Sequence, residues 1–186
     1  MAQFYLIRHG QPDYSLCDER GYIGHGRALA PLSEEGIRQA LSTALDSRLQ
    51  DADIIVSSPY TRALQTAAIL SQKTGVGIKV EMDLHEWMPD LTFQYRLSEE
   101  SLKQYSDFTA HKGIYPDGGP KRWEDLKSLR ARVKKVADKY AQYDKVIMVC
   151  HGMVIRTLTY VENIAPGEII ECPYEIGKAD CIYAFE

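Results

Sequence analysis

Two apolar runs in this chain each end on a histidine followed by glycine, and they fix where any chemistry must sit. Gln3-Phe4-Tyr5-Leu6-Ile7 alternates, turns apolar and runs into Arg8-His9-Gly10-Gln11. Lys145-Val146-Ile147-Met148-Val149-Cys150 is the most strongly apolar run and ends in His151-Gly152. Runs of this length and β-branched content read as buried strands. An imidazole at the carboxyl end of such a strand lies where open α/β sheets keep their ligand crevices. Arg8 adds a permanent positive charge and a forked donor suited to phosphate. The first reading is therefore a phosphate site with a histidine nucleophile. Taken alone, Arg-His-Gly reads equally well as a strand end with a polar turn.

Between these runs, strands and helices alternate without an internal repeat. Residues 11–31 form a polar, glycine-containing loop too long for a simple connector, and such loops are often functional. Ser33 is placed to cap a helix with apolar positions Ile37, Ala40, Leu41, Ala44, Leu45 and Leu49. Asp53–Ser58 is a short buried strand stopped by Pro59. A helix follows from Tyr60 to Lys73, ended by Thr74-Gly75, then a strand at Ile78–Glu81. From Trp87 to Arg122 the pattern loosens and aromatic residues gather, among them Phe93, Tyr95, Tyr105 and Tyr115. A helix is expected over Trp123–Tyr143, another from Val154 to Val161, and closing strands near Ile169–Glu171 and Cys181–Phe185. The alternation predicts a three-layer α/β/α fold around a mostly parallel sheet. The expectation is one domain over residues 1–186, with an aromatic-rich insertion at about 87–122 covering the site.

The 186 residues carry a net charge of only −4, which gives no general support for a nucleic-acid or anionic-membrane partner. A phosphate site must then be a local positive pocket. No stretch approaches a membrane span, and the opening residues meet Arg8 too soon for a signal peptide. The four cysteines show no CxxC or zinc-finger spacing. A cytoplasmic protein with free thiols is expected.

Further groups sit at the other strand ends. Ser57-Ser58-Pro59-Tyr60-Thr61-Arg62-Ala63-Leu64-Gln65-Thr66 puts Arg62 in the first turn of a helix, where a cation is disfavoured unless an anion is held there too. Asp83-Leu84-His85-Glu86 follows the third strand. With Arg8-His9-Gly10 and His151-Gly152, these segments resemble the ordered motifs of the histidine phosphatase superfamily, which also contains the cofactor-dependent phosphoglycerate mutases. The resemblance spans nearly the whole chain and implies a phosphoglycerate mutase-like fold. It implies His9 as nucleophile, Glu86 of the Leu-x-Glu pattern as general acid and base, and Arg8, Arg62 and His151 around the phosphoryl group. Gly152 and Gln11 are candidate phosphate contacts, Ser57 or Ser58 a candidate helper, and Tyr95 or Tyr105 a candidate pocket wall. No HxH or HxxxH pair occurs among the five histidines, so no metal and no cofactor are expected.

The expected reaction is metal-independent hydrolysis of a small phosphorylated metabolite through phosphohistidine. The chain departs from the mutase branch, whose Glu-Arg-His-Tyr-Gly is Glu86-Trp87-Met88-Pro89-Asp90 here. The asparagine common six residues beyond the nucleophile is Ser15. The family's Gly-Gly-Glu-Ser reads here as Gly118-Gly119-Pro120-Lys121-Arg122-Trp123, with Lys121 and Arg122 free to meet a further acidic group or simply solvent. A mutase is the alternative. A silent phosphate-binding homologue should lack His9, Arg62 or His151, and all three are present. Oligomeric state is left open by the sequence.

Overall fold

The chain is described by a computed structural model covering residues 1–95, 98–116 and 119–181. In chain order these residues form β1 (Ala2–Arg8), α1 (Ser15–Glu19), α2 (Glu34–Thr43), β2 (Ile54–Ser57), α3 (Thr61–Thr74), β3 (Ile78–Val80), α4 (Ser98–Ala110), α5 (Leu126–Tyr140), β4 (Lys145–Cys150), α6 (Gly152–Leu158) and β5 (Ile169–Tyr174). The strands lie in the order β3-β2-β4-β1-β5. The first four are parallel, and β5 runs antiparallel along β1. This is the mixed α/β sheet the alternation predicts.

The strands' period of two divides the core into two layers. Phe4, Leu6, Val56, Val146 and Met148 face α5 and α6. Tyr5, Ile7, Ile55, Ile147 and Val149 face the opposite side, against Ala63, Ala67 and Leu70 of α3. A slip of one residue in β1 would exchange these two sets, so burial on both faces pins the register. That register matters for the site, because Ile7 pairs with Val149 and Arg8 with Cys150. Ser57 of β2 pairs with the same Val149 from the other side. Three strands thus end level with one another.

Several boundaries differ from expectation, each for a local reason. The helix capped by Ser33 stops at Thr43, and Leu49 belongs to a separate 3-10 turn, Ser47–Leu49, capped by the Asp46 side chain. It packs through the small residues Gly36, Ala40 and Ala44, which leaves Ile37, Leu41 and Leu45 on its outer side. The long loop 11–31 contains α1 and a 3-10 turn, Gly24–Leu29. The aromatic stretch contains α4, which buries Phe108 while leaving Leu102 and Tyr105 exposed. With so few buried positions, α4 shows little apolar period. The next helix begins at Leu126 rather than Trp123, because Asp125 is its cap, accepting from the Ser128 N–H at 2.7 Å. The helix after β4 begins at Gly152, two residues earlier than expected. Residues 182–186 of the expected last strand lie outside the described residues.

Candidate active site

The level strand ends hold the two histidines at fixed spacing. The His9 N–H donates to the Cys150 carbonyl at 3.1 Å, and the Ser58 N–H donates to the Val149 carbonyl at 2.9 Å. The His9 and His151 rings meet edge to face with centroids 5.0 Å apart. Gly10 is glycine because a Cβ there would strike the Gly36 carbonyl at the start of α2. Its N–H donates to Thr66 Oγ1 of α3 at 3.2 Å, so β1, α2 and α3 converge on the turn after His9.

Each ring nitrogen has a defined surrounding. His9 Nδ1 lies 2.7 Å from the Gly10 carbonyl oxygen, which can only accept, so Nδ1 carries the proton. Nε2 therefore carries the lone pair, and Arg62 Nε donates to it at 3.0 Å. Burial, with the Arg62 and Arg8 charges beside it, pushes the His9 pKa down to about 3. His9 is thus neutral over the ordinary pH range. His151 lies 2.7 Å through Nε2 from the Ser58 hydroxyl, and burial and Arg62 push its pKa well below the usual histidine range.

The two arginines are held by different means. Arg62, buried in the first turn of α3, has its guanidinium 4.9 Å from the Tyr60 ring centroid and 6.0 Å from that of Tyr14. Arg8 reaches past the sheet end to donate to the Ile164 carbonyl at 2.5 Å. Arg8 Nε and His151 Nδ1 are both buried without a hydrogen-bond partner among the described residues. An unpaired buried polar atom costs about 1–3 kcal/mol, so two at one place mark a site shaped for polar oxygens.

Glu86 arrives from the loop after β3. Its Oε1 accepts from the Trp87 N–H at 2.8 Å, yet burial dominates and raises its pKa despite the opposing Arg62, Arg132 and Arg8 charges. The loop itself is clamped by Arg132 of α5. That guanidinium donates to the carbonyls of Asp83 at 2.6 Å, His85 at 2.8 Å and Glu86 at 3.2 Å. It also forks onto the Glu124 carboxylate at 2.6 and 2.9 Å. The Trp87 indole N–H donates to the Glu124 carbonyl at 2.6 Å, closing the clamp.

A cavity of about 510 Å³ opens over these groups, with Arg8, Arg62 and Glu86 in its wall. His9 and His151 lie just behind that wall, 5% and 0% exposed. Tyr95 and Tyr105 both line it. Gly152 is buried as the first residue of α6. Ser58 is the serine that touches His151, whereas Ser57 donates to the Ser58 carbonyl at 2.9 Å.

One expectation is corrected here. Gln11 is exposed and outside the cavity wall, with its N–H given to the Gln39 side chain at 2.8 Å, because Gly36 packs against the Gln11 backbone and turns it outward. Lys121 and Arg122 also lie outside the wall, and Lys121 pairs with Asp125. Gly118 lies outside the described residues. Glu124 and Arg132 are absent from the sequence reading: Glu124 stands just before the Asp125 cap, outside α5, and Arg132 of α5 reaches back to its carboxylate.

A parallel sheet whose carboxyl ends bring two histidines and two arginines to one cavity defines an enzyme class that handles phosphoryl groups. The chain belongs to the histidine phosphatase superfamily, branch 1, whose family model matches residues 4–174, and it is a phosphatase enzyme of that superfamily. It is 33% identical to the uncharacterized phosphatase PhoE of Bacillus subtilis, over 85% of this chain and 76% of that protein. It is 30% identical to the phosphoglycerate mutase-like protein 4 of Arabidopsis thaliana, over 84% of this chain and 69% of that one. Among solved structures, YhfR of Bacillus stearothermophilus matches with a TM-score of 0.70 at 22% identity, covering 100% of this chain and 96% of that chain. A mycobacterial glucosyl-3-phosphoglycerate phosphatase complexed with VO3 matches with a TM-score of 0.69 at 20% identity, covering 92% and 90%. Among the described residues, no helix is long and apolar enough to cross a membrane.

Proposed function

We propose that this chain is a single-domain enzyme that hydrolyses a small phosphomonoester without a metal, through a phosphohistidine on His9. The observation that carries this reading is the fixed tautomer of His9, whose Nε2 lone pair lies among Arg8, Arg62 and His151 while Nδ1–H is tied to the Gly10 carbonyl. Phosphoryl oxygens are stronger acceptors than a neutral imidazole. Their arrival draws the Arg62 guanidinium off Nε2 and frees the lone pair as it completes the oxygens' hydrogen bonds. Arg8 Nε, His151 Nδ1 and the Gly152 end of α6 supply further donors. The arginines stabilise the charge spread over the phosphoryl group, the role a cation plays elsewhere.

His9 Nε2 attacks phosphorus as the ester P–O bond breaks, and the electron pair leaves with the alkoxide oxygen. That oxygen takes the proton of the Glu86 carboxyl, which burial keeps protonated to a higher pH than usual. Water then attacks the phosphohistidine, the Glu86 carboxylate takes its proton, and the P–N pair returns to Nε2. Dividing the reaction lowers both barriers.

The test is kcat/KM in excess chelator for p-nitrophenyl phosphate and for an alkyl phosphate. In Glu86→Gln the alkyl ester should lose about 100-fold or more, and the aryl ester, whose leaving group needs little protonation, far less. Equal losses would remove Glu86 from the acid role. Activity that appears only when a divalent ion is restored would contradict the metal-free reading.

A further inference from the structure

The phosphoryl end of the cavity accounts for only part of it. About 510 Å³ is room for a ligand of ten or more heavy atoms beyond the phosphate, within the range of small-molecule sites. The rest of the wall is built largely of rings from three separate segments. Tyr14 and His25 come from the loop after β1, Tyr60 from the start of α3, and Phe93, Tyr95 and Tyr105 from the segment around α4. His25 and Phe93 lie 4.3 Å apart between centroids, and Trp87 and Tyr105 6.0 Å apart. The first and third segments are tied together: the Gly24 N–H donates to the Tyr95 carbonyl at 2.8 Å, and a Cβ at Gly24 would strike the Phe93 carbonyl.

Phe93 itself is held at φ +59°, a conformation that a non-glycine residue adopts at a cost. It remains 41% exposed there, and Tyr105 is 38% exposed. Both line the cavity. Exposed apolar surface gathered around one opening marks a place where a ligand is desolvated.

Charge points the same way. Among the described residues lining the cavity, the cations are Arg8, Arg27 and Arg62. Arg8 and Arg62 serve the phosphoryl group. Arg27 is paired with Asp18 at 2.5 Å and lies over the Tyr14 ring at 4.9 Å. Asp90 is buried in the wall, accepting from the Thr92 N–H at 2.8 Å and hydroxyl at 2.6 Å. A second carboxylate or phosphate on the substrate would therefore meet Asp90 with no uncommitted guanidinium to receive it.

We infer that the alcohol part of the substrate is a flat aromatic group without a second anionic charge, held between the Phe93 and Tyr105 sides of the cavity. This deepens, and rests on, the phosphomonoester reading above. It sets the substrate class apart from phosphoglycerates and phosphoamino acids, whose carboxylates this wall repels.

The experiment compares three esters with similarly poor leaving groups: 2-phenylethyl phosphate, n-butyl phosphate and 3-phosphoglycerate. The phenyl ester should exceed the butyl ester about ten-fold in kcat/KM, the gain two or three ring contacts give, and should exceed 3-phosphoglycerate by more. In Phe93→Ala and Tyr105→Ala the phenyl-to-butyl ratio should fall toward one. A ratio near one in the wild type, a ratio unmoved by both variants, or a preference for 3-phosphoglycerate would overturn the inference while leaving the hydrolase reading intact. Hydrolysis of none of the three would count against the hydrolase reading instead. The inference is then judged by calorimetry, with 2-phenylethylphosphonate expected to bind more tightly than n-butylphosphonate, and equal affinities would overturn it.

Discussion

His9 and His151 show how one residue type takes two roles from its neighbours. Both end a buried strand and both precede glycine. A carbonyl beside Nδ1 and a guanidinium on Nε2 give His9 an outward lone pair. A serine hydroxyl on Nε2 leaves the Nδ1 edge of His151 for a ligand. Glu86 is the complementary case, since burial raises its pKa above 4.5 and the folded chain holds its proton more tightly than the unfolded chain does. That difference favours folding below the unfolded carboxyl pKa and is lost as pH rises through the folded value. At pH 7, above the unfolded carboxyl pKa, the carboxyl is a net cost to folding. Glu86→Gln keeps an oxygen for the Trp87 N–H and removes the charge, so its melting midpoint at pH 7 should lie a few degrees above wild type. The gain should shrink toward zero near pH 4 in calorimetry. A gain independent of pH would mean that ionisation is not its source.

Among the elements, α5 does more than fill the core. One face buries Leu129, Val133 and Val136 against the sheet, while Arg132 reaches the loop that carries Glu86. Arg132 is a positioning residue in this account. Replacing it with methionine strands the buried Glu124 carboxylate, at a cost of about 3–5 kcal/mol. Arg132→Lys keeps the charge but loses the fork. It should fold and lower kcat/KM for alkyl phosphates about 10- to 100-fold, as a small misplacement of Glu86 implies, with a smaller loss on p-nitrophenyl phosphate. Equal losses on both esters would reduce Arg132 to a structural role. This clamp was not legible in the sequence, where attention fell on Lys121 and Arg122. A cation next to a glycine-rich turn stands out, whereas an arginine two turns into an amphipathic helix looks like solvated surface. The strand ends were legible because burial on both faces writes β1 and β4 as unbroken apolar runs. The helices α2 and α4 were read less well, since small residues bury one and few residues bury the other.

The whole molecule places chemistry and recognition in different parts of the chain. The sheet ends supply the imidazoles and arginines, and their order along the sequence exposed them to reading. The cavity wall comes from segments brought together only by folding, such as Gly24 against Tyr95, and no periodicity announces that contact. Tyr95 and Tyr105 could be suspected from aromatic density, but Tyr14 and Tyr60 could not. The reacting groups stand at the sheet ends, and the direct measurement is mass spectrometry of enzyme quenched in alkali during turnover of p-nitrophenyl phosphate, where phosphohistidine survives. Glu86→Gln should form the intermediate from this good leaving group and hydrolyse it slowly, so that it accumulates. One phosphoryl group is expected on His9 Nε2, removed by acid and absent from His9→Ala. A phosphoryl group on another residue, or turnover with His9 never modified, would contradict it.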